Sequence, residues 1–445
     1  MSKPLVICGG RVVDPASGVD EERDVLVEDG KIRSLSEPGK LAAAAAGQQI
    51  DASGCWVVPG LIDMHAHLRE PGYEYKETIE SGARAAVAGG YTAVACMANT
   101  NPVNDNAAVT EAIRERAEAA GLARVYPIGA VSKGLAGVEL AEIGEMYRAG
   151  IVAVSDDGMP IMDGGLMRRV LEYTRMFDLP VIVHEEDRAI ACDGVMNEGD
   201  TSLRLGLRGI PAAAEEAMIA RDIRLLERTG GRLHVAHIST AGGVDLVRDA
   251  KRRGLGVTAE VTPHHFTLND SAVLGYNTNA KMNPPLRTPR DVEAVRQGLL
   301  DGTIDVIATD HAPHHRDEKE IEFDHALNGI VGLETALPLA LAMAEAIGLS
   351  RLQLIAAMSL KPARILRLPL GELAEGKTAD IAVIDPQARW TVDAQTFESK
   401  SRNSPFDGLE VAGRARYTIV RGRIVWRADR ADSKNEKHGK VKVNA

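Results

Sequence analysis

The feature that most constrains this chain is a series of eight short apolar runs, at residues 60–65, 92–97, 124–130, 151–155, 180–184, 233–237, 257–261 and 305–309. Most are rich in Val or Ile and lack polar–apolar alternation, which is how a strand covered on both faces reads. Between the runs lie segments with helical spacing. Ile79, Ala83 and Ala86 share one face, as do Val109, Ile113 and Ala117, and later Ile219, Ile223 and Leu226. Another segment carries explicit punctuation: Thr288 as N-cap, Pro289 in the first turn, Asp291 at the third position and Gly302 just past the end. Parallel neighbours need crossover helices, so eight strand–helix alternations predict an α/β fold, a (β/α)8 barrel of the TIM type. An open doubly wound sheet is the alternative.

The two ends read differently. Residues 23–36 alternate around Asp29-Gly30, residues 417–426 form a similar hairpin around Arg421-Gly422, and residues 380–384 read as another strand. Neither end can bury a sheet alone. The expectation is a small β-sandwich built from both termini, residues 1–58 and 366–426, beside a barrel at 59–365. Residues 427–445 are polar without periodicity and are expected to be a mobile tail.

The formal net charge of −11 argues against a nucleic-acid partner, which would need a basic patch. The four cysteines, Cys8, Cys55, Cys96 and Cys192, are scattered and read as free thiols of a reducing compartment. The first ten residues lack a charged stretch followed by a long apolar run, so no signal peptide is expected. The most apolar long stretch, 332–349, contains Glu334, Pro338 and Glu345 and cannot span a membrane. A cytoplasmic protein that touches neither membrane nor nucleic acid is expected.

Function in such a barrel sits at the C-terminal ends of the strands. The first strand ends in Asp63-Met64-His65-Ala66-His67, the fourth in Ser155-Asp156-Asp157-Gly158, the fifth at His184, the sixth at His237 and the eighth in Thr309-Asp310-His311. Taken singly, each has an ordinary explanation: a histidine hydrogen-bonded in the core, a turn, a cap. Together they place His65, His67, Asp157, His184, His237 and Asp310 on one rim. Mixed imidazole and carboxylate donors are what catalytic Zn²⁺ or a related divalent ion requires. Four His and two Asp exceed the needs of one ion, so a binuclear site is expected, lowering the pKa of a bridging water and polarising a carbonyl.

The run Asp63-Met64-His65-Ala66-His67-Leu68-Arg69-Glu70-Pro71-Gly72 resembles the first-strand signature of the amidohydrolase superfamily, and specifically the long-chain bacterial dihydroorotases. The resemblance continues in family order through Met97-Ala98-Asn99-Thr100, Thr262-Pro263-His264-His265, Lys281-Met282-Asn283-Pro284-Pro285-Leu286-Arg287 and Ala308-Thr309-Asp310-His311-Ala312-Pro313-His314. It implies one zinc on His65, His67 and Asp310, a second on His184 and His237, and Asp157 bridging them. Many relatives use a carboxylated lysine at the fourth strand end, and no lysine lies in 151–158.

The implied reaction is reversible closure of N-carbamoyl-L-aspartate to L-dihydroorotate and water, in pyrimidine biosynthesis, with Asp310 moving the proton. Arg69, Asn99 and His314 are implied to hold the substrate carboxylate, and Asn283 and the backbone at Asn328-Gly329 the amide edge of the ring. The competing readings are hydantoinase, dihydropyrimidinase or allantoinase, and a non-catalytic scaffold for aspartate transcarbamoylase. A homodimer is expected, and association with aspartate transcarbamoylase can accompany activity because the two catalyse consecutive steps. The acidic segment 315–325 is expected to move over the site.

Overall fold

The computed structural model describes residues 4–41 and 47–428. The expected mobile tail lies outside the described residues from 429 onward, and Arg427 still belongs to a strand. Among the described residues no helix is long and apolar enough to cross a membrane.

Eight parallel strands form the barrel, after five strands from the N-terminal part: β1 (Leu5–Asp14), β2 (Val19–Glu28), β3 (Lys31–Ser36), β4 (Gln48–Asp51) and β5 (Trp56–Pro59). The barrel strands are β6 (Leu61–Ala66), β7 (Tyr91–Cys96), β8 (Arg124–Pro127), β9 (Val154–Ser155) and β10 (Val181–Val183). A two-stranded parallel ribbon, β11 (Met196–Asn197) with β12 (Gly209–Ile210), interrupts the series before β13 (Leu233–Val235), β14 (Val257–Val261) and β15 (Val306–Ile307) complete it. Single parallel bridges, Gly129 to Val154 and Ala66 to His311, close the ring between the two ladders.

All eight expected runs are therefore barrel strands, several of them shorter than their apolar runs. Helices Ile79–Ala88, Ala107–Ala120 and Ala212–Thr229 carry the three apolar faces read from spacing. Helix Pro289–Leu300 has the full capping box between Thr288 and Asp291.

Inside the barrel, Met64, Ala95, Ile128, Ala153, Ile182, Ala236 and Val306 pack together, while Val94, Val154, Val181, Val183, Leu233 and Val235 face the helices. The parity of β6 changes partway. Met64 belongs to the interior, yet Ala66 and Leu68 pack on the helix side, because the pairing with β7 slips between Asp63 and Ala66. That irregularity turns His65 and His67 toward the barrel mouth.

The terminal strands complete one eight-stranded sheet with β16 (Ile381–Thr391), β17 (Glu410–Val420) and β18 (Arg423–Arg427), ordered β18-β17-β16-β5-β1-β2-β3, with β4 beside β1. Its ends meet, since Gly30 in the β2–β3 turn lies against Gly422 in the β17–β18 turn and its carbonyl accepts from Ala379 N–H at 2.9 Å. The enclosed core is Leu5, Ile7, Val25, Ile32, Val57, Ile381 and Ile419 among others. Both hairpins use left-handed pairs, Asp29 (φ 48°) with Gly30 (φ 77°) and Arg421 (φ 51°) with Gly422 (φ 72°), the turn whose twist matches paired strands.

Asp380 joins this sheet to the barrel. Its carboxylate accepts from Arg124 Nη2 at 2.9 Å and from the Arg421 N–H at 2.8 Å, and its carbonyl accepts from Gly60 N–H at 2.9 Å. Asp380→Ala leaves the half-buried Arg124 guanidinium unmatched and is expected to cost roughly 1–3 kcal/mol of stability. Urea unfolding checks this; an unmoved midpoint would show that the junction rests on apolar packing alone.

Candidate metal centre

The six residues expected to bind metal converge at the barrel mouth. His65 and His67 come from the end of β6, Asp157 follows β9, His184 follows β10, His237 follows β13, and Asp310 follows β15. All six are buried. His237 (φ 33°) and Asp310 (φ 45°) sit in left-handed backbone, a strained setting that re-aims a side chain just where a strand ends.

The donor atoms fall into three overlapping triads, His65 with His237 and Asp310, His65 with His67 and Asp157, and Asp157 with His184 and His237. His65 Nε2 lies 3.4 Å from both Asp157 and Asp310, and His67 Nε2 lies 3.0 Å from Asp310 and 3.4 Å from Asp157. On the other side, His184 Nδ1 and His237 Nε2 are 3.0 Å apart, and Asp157 Oδ1 is 3.7 Å and 3.3 Å from them. His67 approaches Asp157 Oδ2, so the two carboxylate oxygens face different groups. A tetrahedral ion with bonds of about 2.1 Å separates its donors by about 3.4 Å, and this spacing recurs here. His65 Nε2 is buried without a hydrogen-bond partner although it points into the cluster. This donor set fits a divalent metal centre.

The distal ring atoms are held so that the inward ones keep their lone pairs. His65 Nδ1–H donates to Glu260 at 2.5 Å, and His67 Nδ1–H donates to Asn99 Oδ1 at 2.9 Å. Glu260 is fully buried in β14 and is also 3.1 Å from His234 Nε2. Burial opposes its charge, but His65 and His234 hold its carboxyl well below the usual range. Burial likewise opposes the Asp310 charge, and His65 and His67 prevail, holding it down at about 2. Asp63 takes another role: it accepts from Thr309 N–H at 3.0 Å, tying the ends of β6 and β15 together.

The residues expected to bind substrate gather on the same rim. Arg69 Nε donates to the Pro313 carbonyl at 3.1 Å, and its Nη2 is 3.5 Å from His314 Nε2. The neighbouring acids are engaged elsewhere, Glu70 with Arg116 and Glu74 with the Gly72 N–H, so neither takes the Arg69 guanidinium. His314 is kept neutral: burial first, then Arg69 and Lys76, push it down to about 2. The Asn283 amide is 3.4 Å from His184 Nε2, and its Oδ1 is buried without a partner. Asn99 spends its oxygen on His67. The Asn328 carbonyl accepts from His314 at 2.7 Å. Gly329 uses its N–H on the Lys281 carbonyl and its C=O on Lys319 and Asn403.

The acidic segment 315–325 contains the short helix Arg316–Lys319 and is stapled where it returns. Lys281 Nζ donates to the carbonyls of Phe323, Asp324 and Ala326 at 2.7, 3.0 and 2.7 Å, and Lys319 Nζ to that of Leu327 at 2.8 Å. Sequence reasoning assigned no role to Glu260, Lys281 or Lys319. A carboxylate inside the apolar run of β14 was the available signal for Glu260, because a charge is buried only when paired.

The sequence model described as Amidohydrolase family matches residues 56–425, and the chain belongs to that family. Within it the chain is 57% identical to a dihydroorotase of Syntrophotalea carbinolica over 423 residues, covering 95% of this chain and 99% of that protein. It is equally 57% identical to a dihydroorotase of Anaeromyxobacter dehalogenans over 434 residues, covering 97% and 100%. Among solved structures, an L-hydantoinase from Arthrobacter aurescens superposes with a TM-score of 0.85 at 27% identity, over 96% of each chain.

Glu260→Gln keeps the shape of the side chain but weakens its hold on His65, and is expected to lower metal affinity about 10–100-fold. Metal-competition titration checks this; unchanged affinity would remove Glu260 from the account of the centre.

Proposed function

We propose that the protein is a dihydroorotase that opens and closes the dihydroorotate ring at two zinc ions per subunit. The observation that carries this reading is the placement of the Arg69 guanidinium, in no salt bridge among the described residues, beside His314 and within the electrostatic reach of Asp310 and Asp157. A cyclic amide that bears a carboxylate needs both a carbonyl-activating centre and a fixed cation to orient it. His65, His67 and Asp310 would hold one ion, His184 and His237 the other, with Asp157 between them. Zinc bound there supplies Lewis acidity, making water a nucleophile near neutral pH and polarising the ring carbonyl.

The protein's own groups do the rest. Arg69 grips the substrate carboxylate, joined by His314 when its Nε2–H turns from the Asn328 carbonyl to the substrate, and Asn283 presents an unspent amide atom to the ring. Asp310 accepts the proton of the attacking water and delivers it to the ring nitrogen as the carbonyl C–N bond breaks. In the closing direction the same carboxylate takes the proton from the ureido nitrogen as the C–N bond forms, and passes it to the departing oxygen. Hydantoinase chemistry fits less well: Asp157 stands at the fourth strand end, and a hydantoin gives Arg69 no carboxylate to bind. The full donor set argues against a scaffold without activity. The reading extends to a cytoplasmic homodimer, with association to aspartate transcarbamoylase, the enzyme that makes its substrate.

Ring opening should be measured on L-dihydroorotate and on dihydrouracil, the same ring without the carboxylate, before and after chelation. Turnover of the first, lost with the metal and restored by zinc, is expected, with little turnover of the second. A preference for dihydrouracil would overturn the assignment. Asp310→Asn, assayed at saturating zinc because Asp310 is also a proposed ligand, is expected to lower kcat by roughly 10²–10⁴-fold. Arg69→Ala should act mainly on KM.

A further inference from the structure

Between β16 and β17 the chain leaves the terminal sheet and runs along the barrel mouth. Alternate residues of this passage face the barrel and are buried: Ser399 at 1% exposure, Ser401 at 4% and Asn403 at 4%. Ser399 Oγ–H donates to Glu77, which also lies 3.4 Å from His311 Nε2. Ser401 Oγ–H donates to the Lys76 carbonyl at 2.8 Å.

Asn403 makes the most specific set of contacts. Its Nδ2 donates to the Ala312 carbonyl at 2.9 Å and the Gly329 carbonyl at 3.0 Å, while Oδ1 accepts from the His314 N–H at 3.1 Å. Its own carbonyl accepts from Val331 N–H at 3.0 Å. One side-chain amide thus joins the loop after β15 to the strand-like return at 329–331, using two donors and an acceptor at once.

Those two loops carry His314 and the carbonyl that holds Arg69, the groups proposed for the substrate carboxylate. Arg69 hangs on the Pro313 carbonyl, between the two residues that Asn403 grips. His314 Nε2–H donates to the Asn328 carbonyl, and Gly329 approaches so closely that a Cβ there would lie 2.7 Å from His314 Cδ2. The separation of the loops is therefore braced by this amide together with the backbone bond from Ala312 N–H to the Ile330 carbonyl at 2.9 Å.

We infer that Asn403 is a positioning residue for substrate, fixing Arg69 and His314 against the carboxylate from outside the barrel's own strands. The inference rests on the reading that Arg69 and His314 bind that carboxylate. The metal donors are held independently, by Glu260, Asn99 and Asp63, so binding and turnover should separate.

The test uses the full-length, metal-loaded protein. Asn403→Asp keeps the shape and the acceptor but loses both donors, and Asn403→Ala removes the contact without adding charge. Each is expected to raise KM for L-dihydroorotate about tenfold or more, with kcat within about threefold and metal content unchanged. In a His314→Ala background the same substitutions should add little, because coupled residues are not additive. If His314→Ala raises KM and the Asn403 variants do not, the inference is overturned. A parallel fall of kcat, metal content and thermal midpoint in both variants overturns it too, marking Asn403 as a fold residue. If His314→Ala itself leaves KM unmoved, the carboxylate reading fails and the inference falls with it.

Discussion

The rest of the structure depends on keeping four imidazoles and two carboxylates within about 3–4 Å of one another in a buried barrel mouth. Without a cation, each inward imidazole nitrogen meets a neighbour's lone pair unless a proton lies between them, as one must between His184 Nδ1 and His237 Nε2 at 3.0 Å. In the absence of metal, protons on the histidines must supply the positive charge. Burial opposes protonation of His65, yet Asp157, Glu260 and Asp310 raise its pKa well above the ordinary value. Divalent metal bound there would meet the same demand and release those protons. The barrel's contribution is rigidity: parallel strands covered on both faces cannot let six donors from five strands drift apart.

The fold was legible because burial on both faces leaves a pattern that survives in the sequence. A strand such as β14 shows Val257, Ala259 and Val261 to the helices whatever its partners are. Strand ends were less legible. The run at 305–309 yields only Val306–Ile307 as ladder, because Thr309 and Asp310 leave it to reach Asp63 and the donor cluster. The ribbon of β11 and β12 left no mark, since two-residue strands have no period to read. The terminal hairpins were readable from Asp29-Gly30 and Arg421-Gly422, although Arg421 takes the left-handed position only with its N–H held by Asp380.

The donor residues were legible for the same reason as the strands: each follows a recognisable run, so position alone gathers them on one rim. What the sequence concealed were groups whose roles are defined by distant partners. Glu260 sits 195 positions from His65, and Asn403 is 91 positions from Ala312 and 74 from Gly329. An asparagine in a Ser-rich connection reads as a turn until the carbonyls it satisfies are known. Lys281 is another case, since an ammonium facing three carbonyls looks from sequence like an ordinary surface cation.

These concealed residues explain how one barrel can vary its substrate without rebuilding its chemistry. The donors stand on strand ends and are steadied from within the barrel by Glu260, Asp63 and Asn99. Of the groups proposed for the carboxylate, His314 stands on a loop whose course and return are steadied by Lys281, Lys319 and, from the terminal unit, Asn403, and Arg69, on the loop after β6, hangs on it through the Pro313 carbonyl. Arg69 itself needs left-handed backbone (φ 63°), a conformation that local propensity disfavours and that the loop contacts must impose. Loop geometry can therefore change through its braces while the donor cluster stays in place. That separation is what a barrel shared by hydantoinases and dihydroorotases requires, since both act on cyclic amides and only one must recognise a carboxylate.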